Sequence, residues 1–94
     1  MQVNLKDAQN AISDGRLIFA LFDYQKINSQ QNIFGFSLDG HQVWQIEEAD
    51  KLHALNVFTS VYFIDNDLYA YCRNGVEMKL DKNTGKALSK ELIR

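Results

Sequence analysis

Chemistry in a protein chain starts with nucleophiles, titratable side chains and metal ligands, and this sequence is sparing in all three. It holds one cysteine, Cys72, and two histidines, His41 and His53. A thiolate beside an imidazole would be an activated nucleophile, the basis of a cryptic hydrolase built on Cys72 or His53. Cys72, however, sits between Tyr71 and Arg73 in an aromatic stretch, where a free cysteine acts as a small apolar side chain. His41 directly follows Asp39-Gly40 and reads as solvated, while His53 lies in a polar linker. Asp65-Asn66-Asp67 opens like a calcium loop, but Leu68 to Ala70 re-enter an apolar strand before the glycine and distal glutamate such a loop needs. Thr84-Gly85-Lys86 lacks the upstream glycine and the following hydroxyl residue of a phosphate loop. There is no Cys-x-x-Cys, no His-Glu-x-x-His and no Gly-x-Ser-x-Gly. The expectation is no catalytic residue, no metal and no cofactor.

Composition narrows the remaining classes. Ninety-four residues, 46% of them apolar, suffice for one modest core, and eleven aromatic rings are available to fill it. Ten basic against twelve acidic side chains give a net charge of −2, against the basic excess of a nucleic-acid or anionic-membrane binder. No apolar run approaches the roughly 18 residues of a membrane span. The start, Met1-Gln2-Val3-Asn4, lacks the basic and then apolar regions of a secretory signal, and a lone cysteine forms no internal disulfide. A cytoplasmic location is the resulting expectation. Charge is uneven along the chain: residues 39–67 carry six acids against Lys51, a balance of −5, whereas residues 73–94 carry six bases against three acids, a balance of +3.

The elements that must position these groups are mostly strands. Leu5, Ala8 and Ile12 recur at helical spacing behind Asn4 as a cap, with Gly15 as a stop, so a helix is predicted over residues 5–14. Leu17 to Phe22 is an apolar run suited to a strand covered on both faces, and residues 25–31 form a polar loop. Asn32 to Leu38 and His41 to Glu47 flank Asp39-Gly40, and Leu68 to Arg73 and Val76 to Asp81 flank Asn74-Gly75; both dipeptides favour the positive φ of tight hairpins. Residues 48–56 could hold one helical turn. Val57 to Ile64 and Ala87 to Ile93 complete the strands. Tyr69 and Tyr71 fall on one face of their strand and Leu68, Ala70 and Cys72 on the other, which makes a tyrosine-rich surface possible. Trp44 reads as core or inter-sheet packing.

Residues 32–43 match residues 67–78 at an offset of 35, aromatic on aromatic and Gly40 on Gly75. Two stacked antiparallel meanders of three to four strands, each burying the other's apolar face, follow from this repeat. The predicted class is mainly β in one domain over 1–94, with a helix in 1–15, a first meander over 16–47 and a second over 57–94. The stretch from Asn32 to Ile46, with its aromatic strand, Asp-Gly turn and Trp44, resembles the repeat of quinoprotein-type β-propellers, and Leu80-Asp81-Lys82-Asn83-Thr84-Gly85-Lys86 is similar to that family's Asp-x-x-Thr-Gly-Lys segment. The resemblance implies blade-like meanders. Two units cannot close a propeller, which needs at least four blades, so no quinone, haem or metal site is carried over.

Without chemistry of its own, a small acidic domain is expected to bind another protein. The leading expectation is an immunity-type inhibitor that occludes a bacterial toxin domain, the alternative a blade-like structural or assembly module, and the third the cryptic hydrolase. An up-and-down strand order brings the loops 25–31 and 47–56 and the Asn74-Gly75 turn to one end. Tyr24 would there be an aromatic anchor, surrounded by Glu47, Glu48, Asp50 and Asn74, and complementary to a basic protein partner.

Overall fold

The computed structural model describes residues 1–50 and 54–93. Among them are a 3₁₀ turn (Leu5–Asp7), β1 (Asn10–Ser13), β2 (Leu17–Leu21), the one-turn helix α1 (Tyr24–Ile27), β3 (Ile33–Ser37), β4 (Gln42–Gln45), β5 (Phe58–Ile64), β6 (Asp67–Cys72), β7 (Val76–Leu80) and β8 (Ala87–Leu92). The strands form two four-stranded antiparallel sheets in chain order, sheet A from β1 to β4 and sheet B from β5 to β8. The protein is therefore mainly β, two stacked meanders as expected. The internal repeat becomes the β3–β4 and β6–β7 hairpins, and each sheet gains its fourth strand at a chain end: β1 on sheet A, β8 on sheet B.

The predicted helix over 5–14 is not formed. Asn4 does cap, its Oδ1 accepting from the Lys6 N–H at 3.0 Å, but the turn it starts stops at Asp7. Residues 10–13 instead pair with β2, Asn10 opposite Leu21 and Ser13 opposite Ile18. A helix of about ten residues is marginal alone, and the open edge of β2 offers the same backbone a full set of partners. Gly15 is left-handed as anticipated, at φ +88°, but it shapes a hairpin in which the Asp14 carboxylate accepts from the Arg16 and Leu17 N–H groups at 2.8 and 2.9 Å. The 25–31 loop likewise opens with the α1 turn, started by Asp23 accepting from the Gln25 N–H and ended by Asn28 at φ +55°. The helical turn considered within 48–56 falls partly on residues 51–53, outside the described residues.

Both predicted hairpins form, with one difference in geometry. The glycine alone is left-handed, Gly40 at φ +91° and Gly75 at +96°, and each turn is closed by the glycine N–H donating to the carbonyl three residues earlier, Ser37 and Cys72, at 2.9 Å. Asp39 and Asn74 keep ordinary φ, so these are longer loops with a glycine bulge rather than two-residue turns. The two-residue turn is Asp65-Asn66, with Asp65 at φ +55°.

Alternation along the strands sorts side chains into layers. Phe19, Leu21, Ile33, Trp44 and Ile46 of sheet A meet Phe58, Val61, Leu68, Ala70, Cys72, Met78 and Leu80 of sheet B in one core. On the other face of sheet A, Ala20, Phe22, Phe34 and Phe36 form a second cluster under Val3, Leu5, Ala8 and Ile27. Sheet A is thus buried on both faces, which accounts for the unbroken apolar run of β2.

Two polar clamps join the sheets. Asn32 is 2% exposed; its Nδ2 donates to the Phe22 and Phe58 carbonyls at 2.9 and 2.8 Å, and its Oδ1 accepts from the Phe58 N–H at 2.9 Å. Trp44 donates from Nε1 to the Lys82 carbonyl at 2.8 Å, and its indole lies so close over Gly35 and Gly85 that a β-carbon at either would overlap the ring. Lys82 in turn reaches Asp14 at 3.8 Å and lies 5.8 Å from the Phe63 ring centre. Gly35→Ala should therefore destabilise the protein by about 2 kcal/mol, because the indole must shift in a packed core. Gly40 faces open space, so Gly40→Ala should show only the cost of left-handed backbone, on the order of 1 kcal/mol. Denaturant midpoints compare the two, and equal loss would refute the Trp44 seat.

Candidate interaction surfaces

Of the groups that could carry catalysis, Cys72 and His41 lie among the described residues, one in the core and one in a surface turn. Cys72 is fully buried in the inner core, and that burial pushes its thiol pKa up, away from the reactive thiolate. The His41 side chain is 83% exposed, with Nδ1 2.9 Å from Asp39 Oδ2 in the β3–β4 turn. His53 lies outside the described residues. Asp81, Thr84 and Gly85 form a turn in which the Asp81 carboxylate accepts from the Asn83 and Thr84 N–H groups. Among the described residues no three His, Cys, Asp or Glu side chains gather as metal ligands.

The five residues predicted to meet a partner divide into two places. Tyr24 opens α1 and is half-buried, sharing a depression with Gln30. Gln30 Oε1 accepts from the Asn56 N–H, and Asn56 Oδ1 accepts from the Asp50 N–H at 3.0 Å and from Asn74 Nδ2 at 3.1 Å. Asn56 thereby ties Asp50 and Asn74 to the loop that carries Tyr24. Glu47 and Glu48 diverge. Glu47 Oε1 accepts from the Ala87 N–H at 2.8 Å, and the Glu48 carbonyl accepts from Lys90 Nζ at 3.4 Å. Both glutamates are exposed along the flank of β8. The Asn56 junction and the Glu47 contact, separated by 18 and 40 residues from their partners Asn74 and Ala87, carry no signature in the sequence.

A third surface is wider. Leu68, Ala70 and Cys72 are buried, so Tyr69 and Tyr71 lie on the outer face of sheet B, as the alternation of β6 requires. Tyr62 joins them: it stands opposite Tyr69 in register, the rings stacked at 6.1 Å between centres and 11° apart. The Tyr62 hydroxyl donates to Glu77, which is the register partner of Tyr71 on one side and of Glu91 on the other. Burial, and then the Glu77 hydrogen bond and charge, raise the Tyr62 pKa above the ordinary phenol range. At the opposite corner Lys79 pairs with Asp67 at 3.3 Å.

The internal repeat gives this face its meaning. At an offset of 35, Tyr69 and Tyr71 correspond to Phe34 and Phe36. The two phenylalanines are fully buried under the N-terminal segment and α1, whereas the two tyrosines are half-buried, with no such segment over them among the described residues. Phenylalanine under cover and tyrosine in the open fit the need of a phenol for a polar partner.

A family model described as a domain of unknown function (DUF7957) matches residues 2–92. The chain belongs to this family. No curated protein matches it. Both clamps, the loop end and the tyrosine face lie inside the DUF7957 span.

Two outcomes follow for this DUF7957 chain. Native Cys72 should react with a thiol reagent far more slowly than the unfolded chain does, since its sulfur is inaccessible until the sheets part; equal rates would contradict its place in the core. Glu77→Gln should bring the Tyr62 phenol part of the way back toward the ordinary range in an ultraviolet pH titration, the burial contribution remaining. An unmoved titration would show that the hydroxyl and Glu77 are not paired in solution.

Proposed function

We propose that the protein is a non-enzymatic binding module for a basic protein partner, in its most concrete form an immunity-type inhibitor covering a bacterial toxin domain in the cytoplasm. One observation carries this reading: sheet A is sealed on its outer face by the chain's own N-terminal segment and α1, whereas sheet B presents Tyr62, Tyr69 and Tyr71 half-buried on its outer face beside Glu77 and Glu91. Glu77 and Glu91 stand directly opposite one another, an arrangement that costs stability. Among the described residues neither forms an ion pair with a cation. A lysine or arginine from a partner would relieve that repulsion, and tyrosine is enriched where interfaces bury area at small entropic cost. Exposed Glu47 and Glu48 extend the negative surface past β8, while Tyr24, Asp50 and Asn74 supply a second contact zone at the loop end. The same acidic face disfavours nucleic acid, and among the described residues no helix is long and apolar enough to cross a membrane.

The second reading, a blade-like assembly module, draws on β8, whose residues from Leu88 to Leu92 are exposed and which stands at the edge of sheet B beside β7 among the described strands. Such an edge can accept a strand from a like unit. Sedimentation separates the readings, a monomer at all concentrations favouring the inhibitor.

The partner to test is a cationic protein, sought first in the gene that precedes this one. Changing Glu77 and Glu91 together to Gln should slow association about tenfold at low salt and flatten its salt dependence. Tyr69→Ala should act on dissociation instead. Unchanged rates in both variants, with slowed association when Glu47, Glu48 and Asp50 become Ser, would move the interface to the loop end and β8 flank.

A further inference from the structure

A cleft of about 330 Å³ opens where the end of β2 meets the start of β5, apart from the tyrosine face. Beneath it lie Phe22, Val57 and Phe58, each no more than 2% exposed, with the Asn32 amide bonded to the backbone of Phe22 and Phe58. Its rim is rich in donors. Tyr24 stands on one side, and Thr59 and Arg73 on the other.

Each rim group is placed by a specific local feature. Phe58 pairs with Cys72 and Ser60 with Tyr71, so Thr59 is the extra residue of a bulge in β5 and is exposed. Bulges at sheet edges re-aim side chains and recur beside binding sites. Arg73 is anchored by its N–H donating to the Val57 carbonyl at 2.9 Å, which fixes its backbone at the cleft wall. Its side chain is exposed, and no carboxylate among the described residues lies within ion-pair distance of the guanidinium. Asp23, the one acid of the lining, turns its carboxylate to the Gln25 N–H at 2.9 Å.

The geometry points to this cleft as a binding site for a carboxylate attached to a small apolar body. A guanidinium fork matches a carboxylate with two parallel hydrogen bonds, and Arg73 is the group of the rim that supplies it, the Thr59 hydroxyl donating to the Tyr71 carbonyl at 3.5 Å. The half-buried Tyr24 ring offers the apolar contact for the rest of the ligand, and the volume lies at the lower end of the range for small-molecule sites. Such a carboxylate can come from a free organic acid or from the terminus of a peptide.

Amide-resolved NMR titration of the whole protein tests this with 4-methylpentanoate, with the peptide Ala-Ala-Leu bearing a free C-terminus, and with the same peptide amidated. Saturable shifts at the amides of residues 22–25, 57–59 and 73 are expected with the free acids and not with the amide. Arg73→Gln should weaken binding at least tenfold, and Lys86→Gln, which removes a cation from the β7–β8 turn, should leave it unchanged. Tighter binding of the peptide would identify a chain terminus as the ligand, and tighter binding of 4-methylpentanoate a free acid. Absence of saturable shifts at these amides, or equal binding by the Arg73→Gln variant, overturns the assignment. Tyr24 is shared with the loop-end zone of the partner surface, but Glu77 and Glu91 do not line the cleft; changing both to Gln should leave carboxylate binding unchanged while slowing association with a basic partner, so the two sites fail separately.

Discussion

A single buried amide, Asn32, sets the relation between the two sheets. Placed just before β3, it hydrogen-bonds the end of β2 through the Phe22 carbonyl and the start of β5 through both polar groups of Phe58. Burying an amide is costly unless its bonds are made, and here they are made only when sheet B stands in one position against sheet A. Apolar faces alone would tolerate sliding, since the hydrophobic effect has no direction. Trp44 serves a related purpose through its bond to the Lys82 carbonyl and its fit over two glycines. With both contacts fixed, the inner faces of the sheets are consumed by each other.

What remains exposed then follows from how the chain spends its ends. The N-terminal residues and α1 fold over sheet A and cover Phe34 and Phe36, whereas the C-terminal residues extend sheet B sideways as β8. The duplicated hairpin therefore has a sealed copy and an open copy, and the sequence differs between them in the corresponding way. Phenols replace phenyl rings, and Tyr62, Glu77 and Glu91 surround them on neighbouring strands. An open, acid-flanked aromatic sheet is a surface that a basic protein would complement, and this is the physical basis of the proposed inhibitor role.

Much of this was legible in the residues. The apolar run of β2, the alternation of β6 and β7 and the two glycine hairpins place the strands, and the offset-35 repeat implies two meanders. The misread element is instructive: Leu5, Ala8 and Ile12 have helical spacing, yet Leu5 and Ala8 pack on the outer cluster of sheet A while Ile12 packs on the inner one from a strand. Spacing cannot report that a neighbouring strand edge is available. Partnerships across the fold were also invisible, because nothing local marks Asn32 as an inter-sheet bridge, Glu47 as a partner of Ala87, or Glu77 as the acceptor for Tyr62. The predicted cluster of Tyr24 with Glu47 and Glu48 assumed that the 47–56 loop stays at one end. In the structure residues 44–48 reach residues 82–90 through Trp44, Glu47 and Glu48, and the Ile46 carbonyl accepts from Gln31 of the 25–31 loop at 3.0 Å.

The most direct test of the account is native-state hydrogen exchange at the Phe58 amide, which donates to Asn32 across the sheet interface. If Asn32 locks the sheets into one cooperative unit, this proton exchanges only through global unfolding, with the same free energy as the central amides of β3 and β6. Exchange of the Phe58 amide through a low-energy local opening, while β3 and β6 stay protected, would show that the sheets part independently and would contradict the account.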